Sequence, residues 1–173
     1  MYYIKYYESP LGRMLMSSNG KSLSGLWFEG QKYYASTLPE DDHAIKPEEN
    51  LPVFAETERW LNAYFQGRQP DFTPSLAMET SEFRKAVWQI LLSIPYGQTM
   101  TYGQIAERLT QKQGGSKTSA RAVGGAVGHN PISLIIPCHR VVGSDGRLTG
   151  YAGGTDKKAK LLALEGANIH KSF

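Results

Sequence analysis

"RAVGGAVGHNPISLIIPCHRVVG" runs from Arg121 to Gly143. Its first part has helical spacing but carries Gly124 and Gly125 side by side in the middle, at about 1 kcal/mol each relative to alanine. With Ala120, Ala122 and Ala126 these make a helix with almost no side-chain bulk, able to approach another backbone closely. A helix and a polar turn precede it, the outline of a helix-turn-helix, though with a turn longer than the usual three or four residues. The same pattern suits a tight helix–helix contact in a core. Arg121, the one large residue near the helix start, is either a phosphate contact or something more specific.

The second part holds the only cysteine, Cys138, between Pro137 and His139. The apolar run "ISLIIP" before it is read as a strand. Neighbouring side chains in an extended chain point to opposite faces, so a direct Cys138–His139 bond needs a local bend, or else a water between the groups. Cysteine nucleophiles act as thiolates, and a nearby imidazole or positive charge lowers their pKa. A buried structural cysteine is the competing reading, since cysteine is among the most buried residue types. Glu165 stands in the last turn of the last helix, where a carboxylate meets the negative end of the dipole. It is either an exposed glutamate or the buried carboxylate that orients a histidine.

Working outward, the 173 residues suffice for one large or two small domains. A single cysteine excludes an internal disulfide. The four histidines, His43, His129, His139 and His170, lack metal-ligand spacing, so no metal site is expected. No apolar run reaches the length of a membrane span and "MYYIKYYESP" is not a signal peptide, so the expected location is the reducing cytoplasm, with no membrane partner. Charge is uneven. Residues 1–80 carry 7 Lys/Arg and 11 Asp/Glu, while residues 81–173 carry 12 and 5. A basic half of this kind suits contact with a polyanion.

The N-terminal segment alternates apolar and polar residues and is cut by "SPLG" and "SNGK", which predicts β-hairpins. "PEDDHAIKPEEN" reads as an acidic, structureless stretch. "VFAETERWLNAYFQG" reads as a helix stopped by Gly67, and Gly67–Ser81 as a linker. Beyond it, Ser81 caps a helix whose apolar face is Phe83, Val87, Ile90, Leu91 and Ile94. Further helices are predicted in "TYGQIAERLT", "ARAVGGAVGHN" and "DKKAKLLALEG", the last capped by Thr155 or Asp156 and closed by Gly166. The expected domains are 1–75 and 76–173.

Taken together, "IPCHRV" (136–141), "RAVGGAV" (121–127), "NP" (130–131), "IPYGQTMTYGQIA" (94–106) and "YAGG" (151–154), with "SPLG" and "YFQG" in the N-terminal half, resemble the O6-alkylguanine-DNA alkyltransferases, the methylated-DNA–protein-cysteine methyltransferases. The resemblance covers nearly the whole chain. It implies an α/β ribonuclease-H-like N-terminal domain and a mainly helical, winged-helix-like DNA-binding domain. It also implies direct reversal of O6-alkylguanine in duplex DNA by irreversible single-turnover transfer to the protein, without cofactor or obligate partner, as a monomer; activity on O4-alkylthymine is left open.

Site roles follow from the same resemblance. Cys138 would be the alkyl acceptor, His139 the base acting through a water, Glu165 the carboxylate that polarises it, and Asn130 the brace around the site. Arg121 would fill the stack vacated by a flipped base. Ala120, Ala122, Gly124, Gly125 and Val127 would line the helix laid in the minor groove. Tyr102 would donate to a guanine ring nitrogen, and the carbonyls of Cys138 and Val141 would accept from the exocyclic amine. Tyr151, Ala152, Gly153 and Lys158 would complete the pocket, with the Ala152 N–H facing O6. The sequence departs from the family at Ala152, where many members have serine, and in the long turn Gln111–Ser119. Three competing readings are an alkyltransferase-like lesion-binding protein, which would lack the acceptor cysteine, a helix-turn-helix regulator, which leaves "PCHRV" unexplained, and a cysteine hydrolase.

Overall fold

The computed structural model describes residues 1–115 and 117–167; Ser116 and His170 lie outside the described residues. The chain forms two compact units, Met1–Met78 with Pro131–Ser133, and Glu79–Asn130 with the chain from Leu134 onward.

In the first unit, β1 (Tyr2–Ser9), β2 (Gly12–Ser18) and β3 (Leu23–Phe28) form the antiparallel meander that the two turn signals predict. The acidic stretch is not structureless. It contains a 3-10 turn, Asp42–Ala44, started by the Asp41 side chain, and β4 (Ile45–Pro47), which pairs parallel with β1 and completes the sheet order β3-β2-β1-β4. Three residues ending in proline make a weak sequence signal, but proline is tolerated on a sheet edge because it needs no inward donor. The helix α1 (Pro52–Phe65) follows, with Gly67 at φ 79 ending it as expected. Its Phe54, Leu61 and Tyr64 are fully buried.

β3 is buried along its whole length. Gly25 within it has no room for a side chain, because a Cβ would lie 1.9 Å from the Trp27 ring. Leu23 exchanges backbone hydrogen bonds with Ser75 and Ala77, so the expected linker is partly pinned to the sheet. Leu26 does the same with Pro131 and Ser133, while the buried Gln31 side chain accepts from Phe28 N–H and the Ser133 hydroxyl. The segment Pro131–Ser133, five residues before Cys138, is therefore bonded to β3 by an isolated bridge.

The second unit is mainly helical. α2 (Glu82–Leu92) is capped by Ser81 and buries Val87, Ile90 and Leu91 of the expected face, while Phe83 is half-buried and Ile94, also buried, lies beyond the helix end. α3 (Tyr102–Lys112) opens on a reciprocal capping box between Thr101 and Gln104. α4 (Ala120–Gly128) is capped by Ser119 and packs on α2 and α3. Trp88 of α2 donates its indole N–H to the Ala126 carbonyl at 2.9 Å, fixing which face of α4 turns inward. The strands β5 (Met100–Thr101) and β6 (Val141–Val142) pair in parallel, and α5 (Thr155–Leu164) closes the unit. Its N-cap is Gly154 at φ 97 rather than Thr155 or Asp156, and Gly166 at φ 74 follows its end.

The run "ISLIIP" is not a strand. Ser133–Ile136 is a buried irregular turn with Leu134 at φ 70, and Cys138–Arg140 is a 3-10 turn. Apolar character reports burial, and buried turns and buried strands share it; periodicity cannot separate them over six residues. Among the described residues no helix is long and apolar enough to cross a membrane.

Candidate active site

Local turns place the thiol. Pro137 adopts φ −82 and ψ 66, and Cys138 N–H donates to the Ile136 carbonyl at 2.8 Å, the geometry of an inverse γ-turn. A 3-10 turn, Cys138–Arg140, follows and bends the chain at the thiol. Asn130, at the end of α4, is 4% exposed and donates its amide to the Ile136 carbonyl at 2.8 Å. The same side chain hydrogen-bonds the Cys138 thiol. Asn130 thus ties the α4 terminus to the thiol-bearing turn.

Cys138 is 5% exposed. Burial pushes its thiol pKa up, and this outweighs the Asn130 bond, the Lys158 charge and the nearby backbone N–H groups, all of which pull it down. The resting group is therefore a thiol.

His139 and Glu165 are brought together across 26 positions. His139 is wholly buried, and its Nε2 lies 2.6 Å from Glu165 Oε2. Burial depresses the imidazole pKa, with Arg140 and Lys158 adding to the effect, against the opposing pull of Glu165. Its neutral form dominates at pH 7.

Glu165, the C-cap of α5, has its carboxylate wholly buried. Burial alone would raise its pKa, but the bonds from His139 and Arg140 overcome this and hold it at about 2. Its second oxygen, Oε1, accepts from Arg140 Nε at 2.8 Å and from Gly97 N–H at 3.0 Å. These donors offset both the desolvation and the unfavourable helix end. Sequence reasoning does not single out Arg140. An arginine after a histidine is an ordinary surface residue by composition, and nothing local shows that its partner lies 25 positions away.

β5 pairs Met100 with Val141 and Thr101 with Val142, which carries Tyr102 alongside the segment that follows the thiol. Tyr102 Oη reaches the Thr149 carbonyl at 3.4 Å. Burial raises its phenol pKa, against the smaller opposing effect of the Thr149 bond. Lys158 of α5 is fully buried and donates to the Thr149 and Gly150 carbonyls at 2.8 and 3.0 Å. Burial lowers its ammonium pKa to about 8. Tyr102 and Lys158 thus grip one loop, and Tyr151, Ala152 and Gly153, all half-buried, follow directly from it. Val141 is completely buried, and the Cys138 carbonyl already accepts from its N–H; a carbonyl retains a second lone pair for another donor.

α4 divides as its small residues suggest, with one exception. Ala120, Arg121, Ala122 and Gly125 are exposed and Gly124 is half-buried, where a Cβ would stand 4.0 Å from the Tyr102 ring. Val127 does not belong to this outward face. It is 6% exposed and shares the inward side with Val123 and Ala126, because the helical period places 123, 126 and 127 on one stripe. Among the described residues no three His, Cys, Asp or Glu side chains cluster as metal ligands would.

The sheet unit and the helical unit correspond to two recognised domains. Residues 1–78 match the family described as "6-O-methylguanine DNA methyltransferase, ribonuclease-like domain", and residues 82–167 match "6-O-methylguanine DNA methyltransferase, DNA binding domain". The chain belongs to the 6-O-methylguanine DNA methyltransferase family. It is 46% identical over 170 residues to a methylated-DNA–protein-cysteine methyltransferase of Methanosarcina barkeri, covering 98% of this chain and 99% of that protein. It is 42% identical over 158 residues to one of Mycolicibacterium paratuberculosis, covering 91% and 88%. The crystal structure of Mycobacterium tuberculosis OGT in complex with DNA superposes with a TM-score of 0.82 at 38% identity, covering 95% of this chain and 92% of that one.

Proposed function

We propose that this protein repairs DNA by direct reversal, taking the alkyl group of O6-alkylguanine onto Cys138 and keeping it. The observation that carries the reading is the buried Cys138 thiol set in sequence beside a neutral His139 that Glu165 holds by its far nitrogen. The names of the relatives and the DNA-bound neighbour support the same chemistry.

In this reading Nε2 is committed to Glu165, so Nδ1 is the atom that accepts the thiol proton, through a water. The sulfur then attacks the alkyl carbon. The S–C bond forms as the C–O6 bond breaks, and the electron pair passes to the guanine ring. Tyr102 Oη donates a hydrogen bond to a ring nitrogen that strengthens as that charge develops, which assists the transition state more than the ground state, and the guanine anion is then protonated from water. The Cys138 and Val141 carbonyls accept from the exocyclic amine, and the turn Tyr151–Gly153, which follows the Thr149–Gly150 stretch held by Lys158, presents the Ala152 N–H to O6. Alanine here offers no side-chain hydroxyl, so the backbone bears that contact alone. O4-alkylthymine presents the same alkyl–oxygen bond and is a second substrate of this reading. A chain with such a thiol is ill-suited to lesion binding without repair.

We assign residues 1–75 the supporting role and residues 76–173 the contact with double-stranded DNA. Every group the step needs comes from one chain, which suits a monomer. A lone reactive thiol suits a reducing compartment that holds DNA, the cytoplasm and its nucleoid in a bacterium. Reaching a buried thiol requires the base to leave the duplex, and the exposed Arg121 on bulk-free α4 is placed to fill the gap. Arg121→Ala should therefore slow repair of duplex DNA at least about tenfold, a cost of ~1.4 kcal/mol. Reaction with free O6-benzylguanine, which needs no flipping, should change little. Equal losses on both substrates would reduce Arg121 to a general contact.

The reaction itself is tested by stoichiometry. The product is a thioether, which neither water nor a thiol cleaves under mild conditions, and the sequence has no second cysteine to relay the group. With excess DNA carrying labelled methyl groups, transfer should plateau at about one methyl per protein molecule, the limit of one acceptor thiol. Turnover well beyond one equivalent would overturn the reading.

A further inference from the structure

We infer that Arg140 is a positioning residue of the acceptor site, which fixes Glu165 as an anion and, by its own charge, keeps His139 the uncharged proton acceptor. The inference rests on the proposed alkyl transfer and assigns a part of that site to which sequence reasoning gives no role.

Arg140 follows His139 directly, yet it is turned inward and is 8% exposed. Its guanidinium spends Nε on Glu165 Oε1 and Nη1 on the Ile94 carbonyl, both at 2.8 Å. Its Cζ also stands 5.7 Å from the centroid of the Tyr96 ring. A side chain so engaged is not available to a phosphate. It instead locks three segments together: the turn 94–97, the 3-10 turn carrying the thiol, and the end of α5. Arginine makes these two divergent N–H bonds from one rigid, charged plane, which lysine cannot.

Charge counting gives the functional consequence. The groups facing His139 are Glu165 and Lys158 from α5, and Cys138 and Arg140 from its own turn. Tyr96 faces Arg140 and Glu165 from the turn 94–97. Among the described residues one carboxylate stands against the Arg140 guanidinium and the Lys158 ammonium, the latter a cation only below about pH 8. A protonated His139 would be a third cation in a dry site, and Arg140 opposes it at close range. Burial is the largest influence holding the imidazole neutral; Glu165 pulls the other way, towards a charged ring, and Arg140 counters that pull. Sharing the carboxylate between Arg140 on Oε1 and His139 on Oε2 orients the ring without charging it.

The test uses the full chain with Arg140→Met, which removes the charge, and Arg140→Lys, which keeps it but cannot reach both acceptors. Single-turnover transfer from duplex DNA containing O6-methylguanine is followed from pH 5.5 to 9, and the His139 ring nitrogens are titrated by NMR without DNA. In Arg140→Met the acid limb and the His139 midpoint should both move up by about one pH unit, a tenfold rate loss at the acid end, with the gap from wild type closing towards pH 8. In Arg140→Lys both should stay at their wild-type positions while the rate falls evenly at all pH values. A pH-independent loss in Arg140→Met with an unmoved His139 midpoint would overturn the inference. Should Arg140→Met fail to fold, the Lys variant decides, since a His139 midpoint raised by a full unit with the charge retained also overturns it. Absence of methyl transfer by the wild-type protein would instead defeat the repair reading, and the histidine titration would still judge Arg140.

Discussion

Cys138→Ala should take up no methyl from alkylated DNA at any protein excess, while its affinity for the same duplex changes little. The substitution deletes the one nucleophile in the chain and leaves α4, Arg121 and the loop gripped by Tyr102 and Lys158 in place. The volume lost is one buried sulfur, a change that costs about 1 kcal/mol where similarly small core groups are removed. A stable DNA-bound protein that never reacts is thus the expected product, and it would allow the flipped base to be observed in the pocket. Methyl transfer to this variant near the wild-type yield would show that another side chain is the acceptor. Lys158 is the group to suspect in that case, because burial leaves its ammonium at about pKa 8 beside the thiol.

Glu165→Gln should cost more stability than any other isosteric change in the site. The carboxylate is wholly buried and its pKa is held at about 2 instead of 4.5, although burial alone would raise it. A displacement of that size corresponds to ~3 kcal/mol, which for a chain of this length is a fall in Tm of about 6–12 °C. The sign follows from the direction of the shift. The folded pKa lies below the unfolded one, so the contribution is complete above about pH 4.5 and is lost as pH falls towards 2. Wild type and variant should therefore differ fully in urea unfolding at pH 7 and converge near pH 2. A difference constant across that range would mean that glutamine disturbs packing rather than charge. Methyl transfer should also fall, since the amide leaves Arg140 buried without its anion and no longer sets the His139 ring.

Features that depend on a few neighbouring residues are legible in the amino-acid order alone. The turns "SPLG" and "SNGK" define the meander β1–β3, and the period of Phe83, Val87, Ile90 and Leu91 defines α2 with its Ser81 cap. The small-residue pattern of Ala120–Val127 marks a bulk-free helix, and "PCHRV" marks the thiol. Each is a short-range rule of dihedral preference, period or capping, and short-range rules survive without tertiary context. β4 escapes such rules because three residues ending in proline carry almost no local preference, and their pairing with β1 alone makes them a strand.

Tertiary structure decided the rest. It bent the apolar run before Cys138 into a turn with Leu134 at φ 70, where hydropathy could only say that the run is buried. It turned Val127 inward, through the Trp88–Ala126 bond that sets the rotation of α4. Above all, it joined His139, Arg140, Gly97 and Glu165 on one carboxylate. Those partners stand 25 to 68 positions apart, and no local propensity encodes which buried charge will meet which. The sequence therefore determined most of the elements and marked the thiol. The electrostatic setting that keeps that thiol protonated at rest beside an uncharged histidine exists only once folding has removed water from all of them together.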